Sequence, residues 1–241
     1  MYLLKAIRKF IKDVWWRPYM VEGADFSAND IPVCPTTASE VPTDLITYKE
    51  AKDIYKKEIR KGNKNFHHSA FVCFYEDDIN FDSITGIWFY SSKALKILKH
   101  FEGIITPDFS TYQDFPYPLK LWNTYRMRAF GFWFGTICGG KVINNVRWGT
   151  AETYGYCFDG IPQNSVVAIG TVGGSPRRLN DRARFEDGLK EMMTRLSPHT
   201  IIVYGSAAYK CFQELKEQGI QIFAYPGRTT KVFAERRKQN E

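Results

Sequence analysis

The sequence predicts an α/β protein with a mostly parallel sheet of about six strands. Short runs rich in Val, Ile and Phe recur at strand length. Segments with apolar residues at spacings of three and four lie among them, which is a helical pattern. Most of the short runs end in turns built from Gly, Pro, Asp or Ser. Strands alternating with helices imply βαβ units, whose crossovers are right-handed almost without exception. Six such strands make either an open doubly wound sheet or most of a (β/α) barrel. The barrel needs another strand within residues 20–46 or 154–161.

The chain reads as an N-terminal extension over residues 1–68 and one α/β domain over 69–241. In the extension, Leu3, Leu4, Ile7, Phe10, Ile11, Val14 and Trp15 mark an amphipathic helix, which Pro18 ends. It packs on its own domain, or it serves as an arm for a membrane surface or a partner. Residues 20–46 read as irregular, with Pro32, Pro35 and Pro42 among polar residues. A charged helix follows over 47–61. Thr47 and Glu50 are spaced as a capping box, and Gly62-Asn63 closes it.

In the domain, strands are expected at 70–75, 103–106, 141–146, 166–169, 200–204 and 220–225. Helices are expected at 91–100, 117–134, 182–196 and 207–218, with a basic tail at the end. The run Val166–Ile169 is apolar throughout, as suits a strand buried on both faces. It leads into Gly170, Gly173, Gly174 and Ser175. Their spacing fits neither of the common glycine-rich phosphate-loop patterns, and no lysine follows. A plain turn and a looser nest of backbone N–H groups for an anion both fit.

Composition narrows the class. Hydrophobic residues form 44% of the 241 and aromatics 16%, which excludes a disordered chain. No apolar run approaches the roughly 20 residues that span a bilayer. Charges interrupt the first helix, so no secretory signal is expected. The five cysteines are scattered without a CxxC pair, which argues against a disulfide scaffold or structural zinc and for a reducing cytoplasm. The net charge of +7 suits a polyanionic partner or merely a basic surface.

Ligands of parallel α/β sheets sit beyond the carboxyl ends of the strands. On that edge the sequence places Asp77, Asp108, Arg147, Trp148, Gly173, Gly174, Ser175 and Ser206. Asp77 and Asp108 are expected to hold a hard cation such as Mg²⁺ and to act as catalytic carboxylates. The competing role for both is capping or turn formation. Arg147 offers a fork for phosphate and Trp148 a stacking surface, or Arg147 pairs with Asp108 or Asp159 while Trp148 joins the core. Arg126 is expected to point to the same edge. The four histidines lie away from it, which disfavours a Ser-His-Asp or Cys-His engine.

Five phrases together resemble one family: Gly103–Ser110, Trp122–Arg126, Asn145–Gly149, Tyr156–Gly160 and Ile169–Thr171. It is a domain-of-unknown-function family of phages, prophages and mobile elements, and the resemblance covers about residues 70–225. It implies a phage or mobile-element setting and a cytoplasmic protein, with no established activity to carry over. It also implies that Asp108, Arg126, Arg147 and Asp159 form a set. The expected function is binding of a phosphate-bearing ligand, a nucleotide or nucleic acid, with Mg²⁺-assisted phosphoryl or phosphodiester hydrolysis as the chemistry. The alternative is a non-catalytic phage accessory factor that binds a host protein or sequesters a small ligand.

Overall fold

A computed structural model describes residues 15–172 and 179–239. The first fourteen residues of the expected amphipathic helix lie outside the described residues, and so do Gly173, Gly174 and Ser175.

Seven strands form one sheet in the order of the chain: β1 (Leu45–Thr47), β2 (His68–Cys73), β3 (Phe101–Ile105), β4 (Val142–Asn145), β5 (Val166–Gly170), β6 (Thr200–Tyr204) and β7 (Gln221–Tyr225). Every neighbouring pair is parallel. The helices are α1 (Tyr48–Arg60), α2 (Ser91–Leu98), α3 (Tyr117–Phe132), α4 (Leu179–Leu196), α5 (Lys210–Glu217) and α6 (Arg228–Gln239). The strand order never reverses. Right-handed crossovers therefore lay the connecting helices on one face, and the sheet curls into a half-barrel instead of being doubly wound.

The strand β1 raises the count to seven. It lies in the stretch read as N-terminal extension, and it is only three residues long. Its C-terminal residue, Thr47, caps α1. The Thr47 hydroxyl accepts from Glu50 N, and Glu50 accepts from Thr47 N at 2.7 Å, so the expected capping box is present.

Alternation of side chains sorts the strands into two apolar faces. Toward the helices, Val72, Phe74 and Ile104 pack with Leu98 and Phe130, while Val167, Ile169 and Ile201 pack with Leu189, Met192 and Phe212. On the concave face Leu45, Phe71, Ile105, Ile143, Ala168 and Ile202 form a third cluster. Across that face the Tyr75 ring stacks on Tyr204, with centroids 5.3 Å apart and planes at 19°. Tyr75 follows β2 and Tyr204 ends β6, so this contact ties one half of the curled sheet to the other. Gly170 makes room for it, since a Cβ there would lie 2.7 Å from the Tyr75 ring.

No pairing joins β1 to β7. Side chains and α6 close that seam. The Tyr225 hydroxyl donates to Pro42 O, and Lys231 Nζ donates to Asp44 Oδ1 at 2.7 Å and to Leu45 O at 2.8 Å. The irregular stretch before β1 is pinned to β4. Asn144 Nδ2 donates to Cys34 O, and Thr37 Oγ1 accepts from Val142 N.

Candidate functional site

Because all strands are parallel, their carboxyl ends share one rim. A cleft of about 550 Å³ opens there. The continuation of β2 supplies Tyr75, Glu76, Asp77 and Asp78. That of β3 supplies Asp108, Ser110 and Thr111, and that of β4 supplies Arg147 and Trp148. Opposite them α4 presents Asp181, Arg184 and Phe185.

A chain of hydrogen bonds crosses the floor. The Tyr75 hydroxyl donates to Asn145 Oδ1 at 2.9 Å, and Asn145 Nδ2 donates to Asp108 Oδ1 at 2.8 Å. Arg147 Nη1 then donates to Asp108 Oδ2 at 2.6 Å, and its Nε reaches Thr111 Oγ1 at 3.4 Å. Both oxygens of Asp108 are thus engaged within the protein, and the guanidinium of Arg147 is held in a fixed orientation.

Beneath this floor lies Arg128, fully buried on α3. Its three nitrogens donate to the carbonyls of Asn145, Cys157 and Asp159 at 2.9, 3.2 and 3.1 Å. Burial lowers its pKa to about 10. It fixes the backbone from which Asn145 and Arg147 emerge.

The cleft wall is acidic. Five carboxylate side chains line it, from Glu76, Asp77, Asp78, Asp108 and Asp181, against the two guanidiniums of Arg147 and Arg184. Asp78 is held above the usual aspartate range. Burial is the main cause; Asp82 and Asp108 add to it, while a hydrogen bond with Ser110 opposes it. Glu76 is raised too, chiefly by burial, against a bond from Lys49 N and the charge of Lys52. The Tyr75 phenol is pushed up by burial and by Asp108.

Asp77, Asp108, Arg147 and Trp148 therefore meet at one cleft. Asp77 is exposed and precedes the short 3-10 turn Asp78–Asn80, yet its side chain makes no capping bond. Trp148 packs its ring on Phe185 at 5.3 Å and over α4, where Gly188 leaves the space; a Cβ there would lie 2.1 Å from the indole.

Three other expected residues are not in the cleft lining. Arg126 is buried on the side of α3 that faces the 77–90 loop. It forks onto Asp82 at 2.7 and 2.8 Å and lies 3.9 Å over the Phe109 ring. Asp159 accepts from Asn29 Nδ2 at 2.9 Å. Ser206 sits in a turn, where its Oγ accepts from Ala208 N and its carbonyl accepts from Thr171 Oγ1. Among the described residues no group of three or more His, Cys, Asp or Glu is arranged to hold a metal.

Tyr75, Asn145, Ser110, Thr111, Asp181 and Arg184 line the cleft as well, and the sequence singles out none of them. Asn145 carried a signal, a polar residue at the end of a buried strand. The two α4 residues carried none.

A family model described as a domain of unknown function, DUF4417, matches residues 25–226. The chain belongs to this family. The DUF4417 match runs from the irregular segment before β1 to the end of β7, so it includes every described strand and the rim of the cleft. Two relatives are phage proteins. The Gene 1 protein of Mycobacterium phage D29 is 33% identical over 184 residues, 76% of this chain and 63% of its own length. The Gene 1 protein of Mycobacterium phage L5 is 33% identical over 144 residues, 60% of this chain and 61% of its own. The DUF4417 chain thus spans about three fifths of these relatives. No solved structure matches it significantly. Among its described residues no helix is long and apolar enough to cross a membrane.

Proposed function

We propose that this DUF4417 chain is a phage or mobile-element protein of the host cytoplasm that binds a phosphate-bearing ligand together with Mg²⁺ at the rim of the strands. A nucleotide or a nucleic-acid end is the ligand class. The observation that carries this reading is the charge layout of the cleft, with five carboxylates facing two guanidiniums and one guanidinium oriented by Asp108. A phosphate enters such an acidic cleft only with a cation beside it. Mg²⁺ suits this role because it is commonly held by one or two carboxylates, with phosphate oxygens and water completing its shell.

In this reading Asp77 and Asp78 would hold the cation. Asp77 has no capping bond to give up. Asp78 is disfavoured as an anion by burial and by its acidic neighbours, and a divalent ion relieves both. Asp108 positions Arg147, which with Arg184 neutralises the phosphate. Hydrolysis of a phosphoryl or phosphodiester bond is the reaction that such a set supports.

The test is a thermal-shift and calorimetric titration with ribonucleotides and deoxyribonucleotides, each with and without Mg²⁺. Binding that needs Mg²⁺, and that falls at least tenfold in Asp78→Ala and in Arg147→Ala, supports the reading. No binding under any of these conditions removes it. The alternative, an accessory factor for a host protein or a sequestered small ligand, then takes its place.

A further inference from the structure

A second surface concentrates the positive charge of the molecule. Residues 48–64 carry seven lysines and arginines against three acids, and residues 228–239 carry five against one. Together these two stretches exceed the +7 of the whole chain, so the remainder is slightly negative. That remainder contains the acidic cleft. Basic character is therefore dense in α1, the turn after it and α6, as it is in the sequence of residues 1–17, where five lysines and arginines stand against one acid.

The fold makes these two segments neighbours. Helix α1 leaves the carboxyl end of β1, the first strand, and α6 leaves that of β7, the last. The curl of the sheet brings the two edges together. Arg228 at the start of α6 lies 3.9 Å from Glu50 in the first turn of α1, and Lys231 is bonded to Asp44 and Leu45 beside β1. Residues far apart in sequence thus meet at the seam, where the two basic helices start beside each other.

The charges on this face are available. Lys56, Lys57, Arg60, Lys64, Arg236 and Arg237 are exposed, and none forms an ion pair among the described residues. On the inward side of α1, Tyr48 and Ala51 are buried, Ile54 packs against the core and Tyr55 against Phe66 and His100. A helix that lies on a membrane needs a broad exposed apolar face. Here Phe233, 59% exposed, is the sole large apolar side chain of α1 and α6 with such exposure. Many unpaired cations with almost no exposed apolar area suit a phosphodiester backbone.

We propose that the α1–α6 face binds nucleic acid through its backbone, without base readout. The contacts are guanidinium and ammonium groups on phosphates, and they fix affinity without fixing sequence. This inference does not depend on the cleft or on its ligand.

Fluorescence anisotropy tests it, using the full chain with a random-sequence DNA duplex and with the matching single strand, between 50 and 200 mM salt. Binding is expected to weaken steeply with salt, by a logarithmic slope of about −0.9 for each phosphate neutralised on duplex. Lys56→Glu/Lys57→Glu and Arg236→Glu/Arg237→Glu should each lower affinity at 50 mM salt at least tenfold and flatten the slope. Lys99→Glu/Lys190→Glu, the same change of charge just after α2 and on α4, should change affinity less than threefold. Circular dichroism establishes that each variant is folded. Three outcomes overturn the proposal: equal losses from all three double variants, no loss from the first two, or wild-type chain that binds phosphatidylserine vesicles but neither DNA. The duplex and the single strand distinguish which form of the backbone the face prefers.

Discussion

The hydroxyl of Tyr75, two residues beyond β2, donates to the side-chain oxygen of Asn145 at the end of β4, 2.9 Å away and across the intervening strand. This bond sets the orientation of the Asn145 amide, because its oxygen accepts from the Tyr75 hydroxyl. The amide nitrogen then faces Asp108. Tyr75→Phe removes the donor and leaves the ring, its stack on Tyr204 and the buried Asn145 oxygen in place. An unsatisfied buried acceptor costs about 1–3 kcal/mol. Denaturant unfolding of Tyr75→Phe should show a loss in that range with an unchanged m-value. A loss below about 0.5 kcal/mol would mean that Asn145 turns to another partner.

Asp108 and Arg147 form the pair on which the proposed phosphate contact rests. Asp108 is 9% exposed at its side chain, but Arg147 is 33% exposed. Asp108→Asn keeps the shape and removes the charge. A fully buried pair broken on one side costs about 3–5 kcal/mol, and the access of water to Arg147 brings the expectation down to about 1–2. Stability should therefore fall modestly. Binding of the Mg²⁺–nucleotide should fall at least tenfold, because the guanidinium is no longer held. A variant with unaltered affinity would show that Asp108 has no positioning role.

How far the sequence carried is clearest at particular elements. The sequence predicts β6 at Thr200–Tyr204, and it is found there, because five apolar or β-branched residues between turns leave little choice. Parallel strands then brought Asp77, Asp108 and Arg147 to one rim without any local motif. The sequence allows a further strand within residues 20–46 but cannot place β1, since three residues carry no period and pairing with β2 alone makes them a strand. Arg126 is expected at the strand-end rim, and Arg128, two positions on, has no expected role. Their targets depend on the rotation of α3 against a loop and a sheet, which is tertiary information, so the structure sends one to Asp82 and the other beneath Asn145. The last helix reads in the sequence as a basic tail, because its packing partner, the edge of β1, lies over 180 residues earlier in the chain.

Asp78 gives a dependence on pH with a definite sign. Its folded pKa lies above the usual aspartate value, mainly through burial. The folded state therefore holds a proton that the unfolded state has released. Between the two values stability falls as pH rises, and above the folded value the whole penalty is present. Asp78→Asn removes that penalty. The variant should melt at a higher temperature than wild type at pH 7.5, and the difference should shrink toward pH 4. Saturating Mg²⁺ and nucleotide should erase or reverse the advantage, since the variant lacks a ligand for the cation. A melting temperature that is lower at pH 7.5 would show that the ionised carboxylate is stabilised in the fold.

Arg128 is the strongest test of how the cleft is supported. It is 0% exposed, no carboxylate forms an ion pair with it among the described residues, and its partners are three backbone carbonyls. Such a group is a scaffold, because the carbonyls of β4 and of the 153–161 segment have converged on it. Arg128→Met fills similar space but leaves three buried acceptors unsatisfied, at about 1–3 kcal/mol each before relaxation. Losses within one network do not add, so an overall cost of about 3–5 kcal/mol is expected. Arg128→Lys retains the charge and fewer donors, and should lose less. If the role is to hold the floor, Arg128→Lys should weaken Mg²⁺–nucleotide binding although residue 128 does not line the cleft. Hydrogen exchange should then show faster opening around Asn145 and Cys157, with the α4–α5 core unchanged. A lysine variant that binds as wild type with the same exchange at Asn145 would confine Arg128 to general stability.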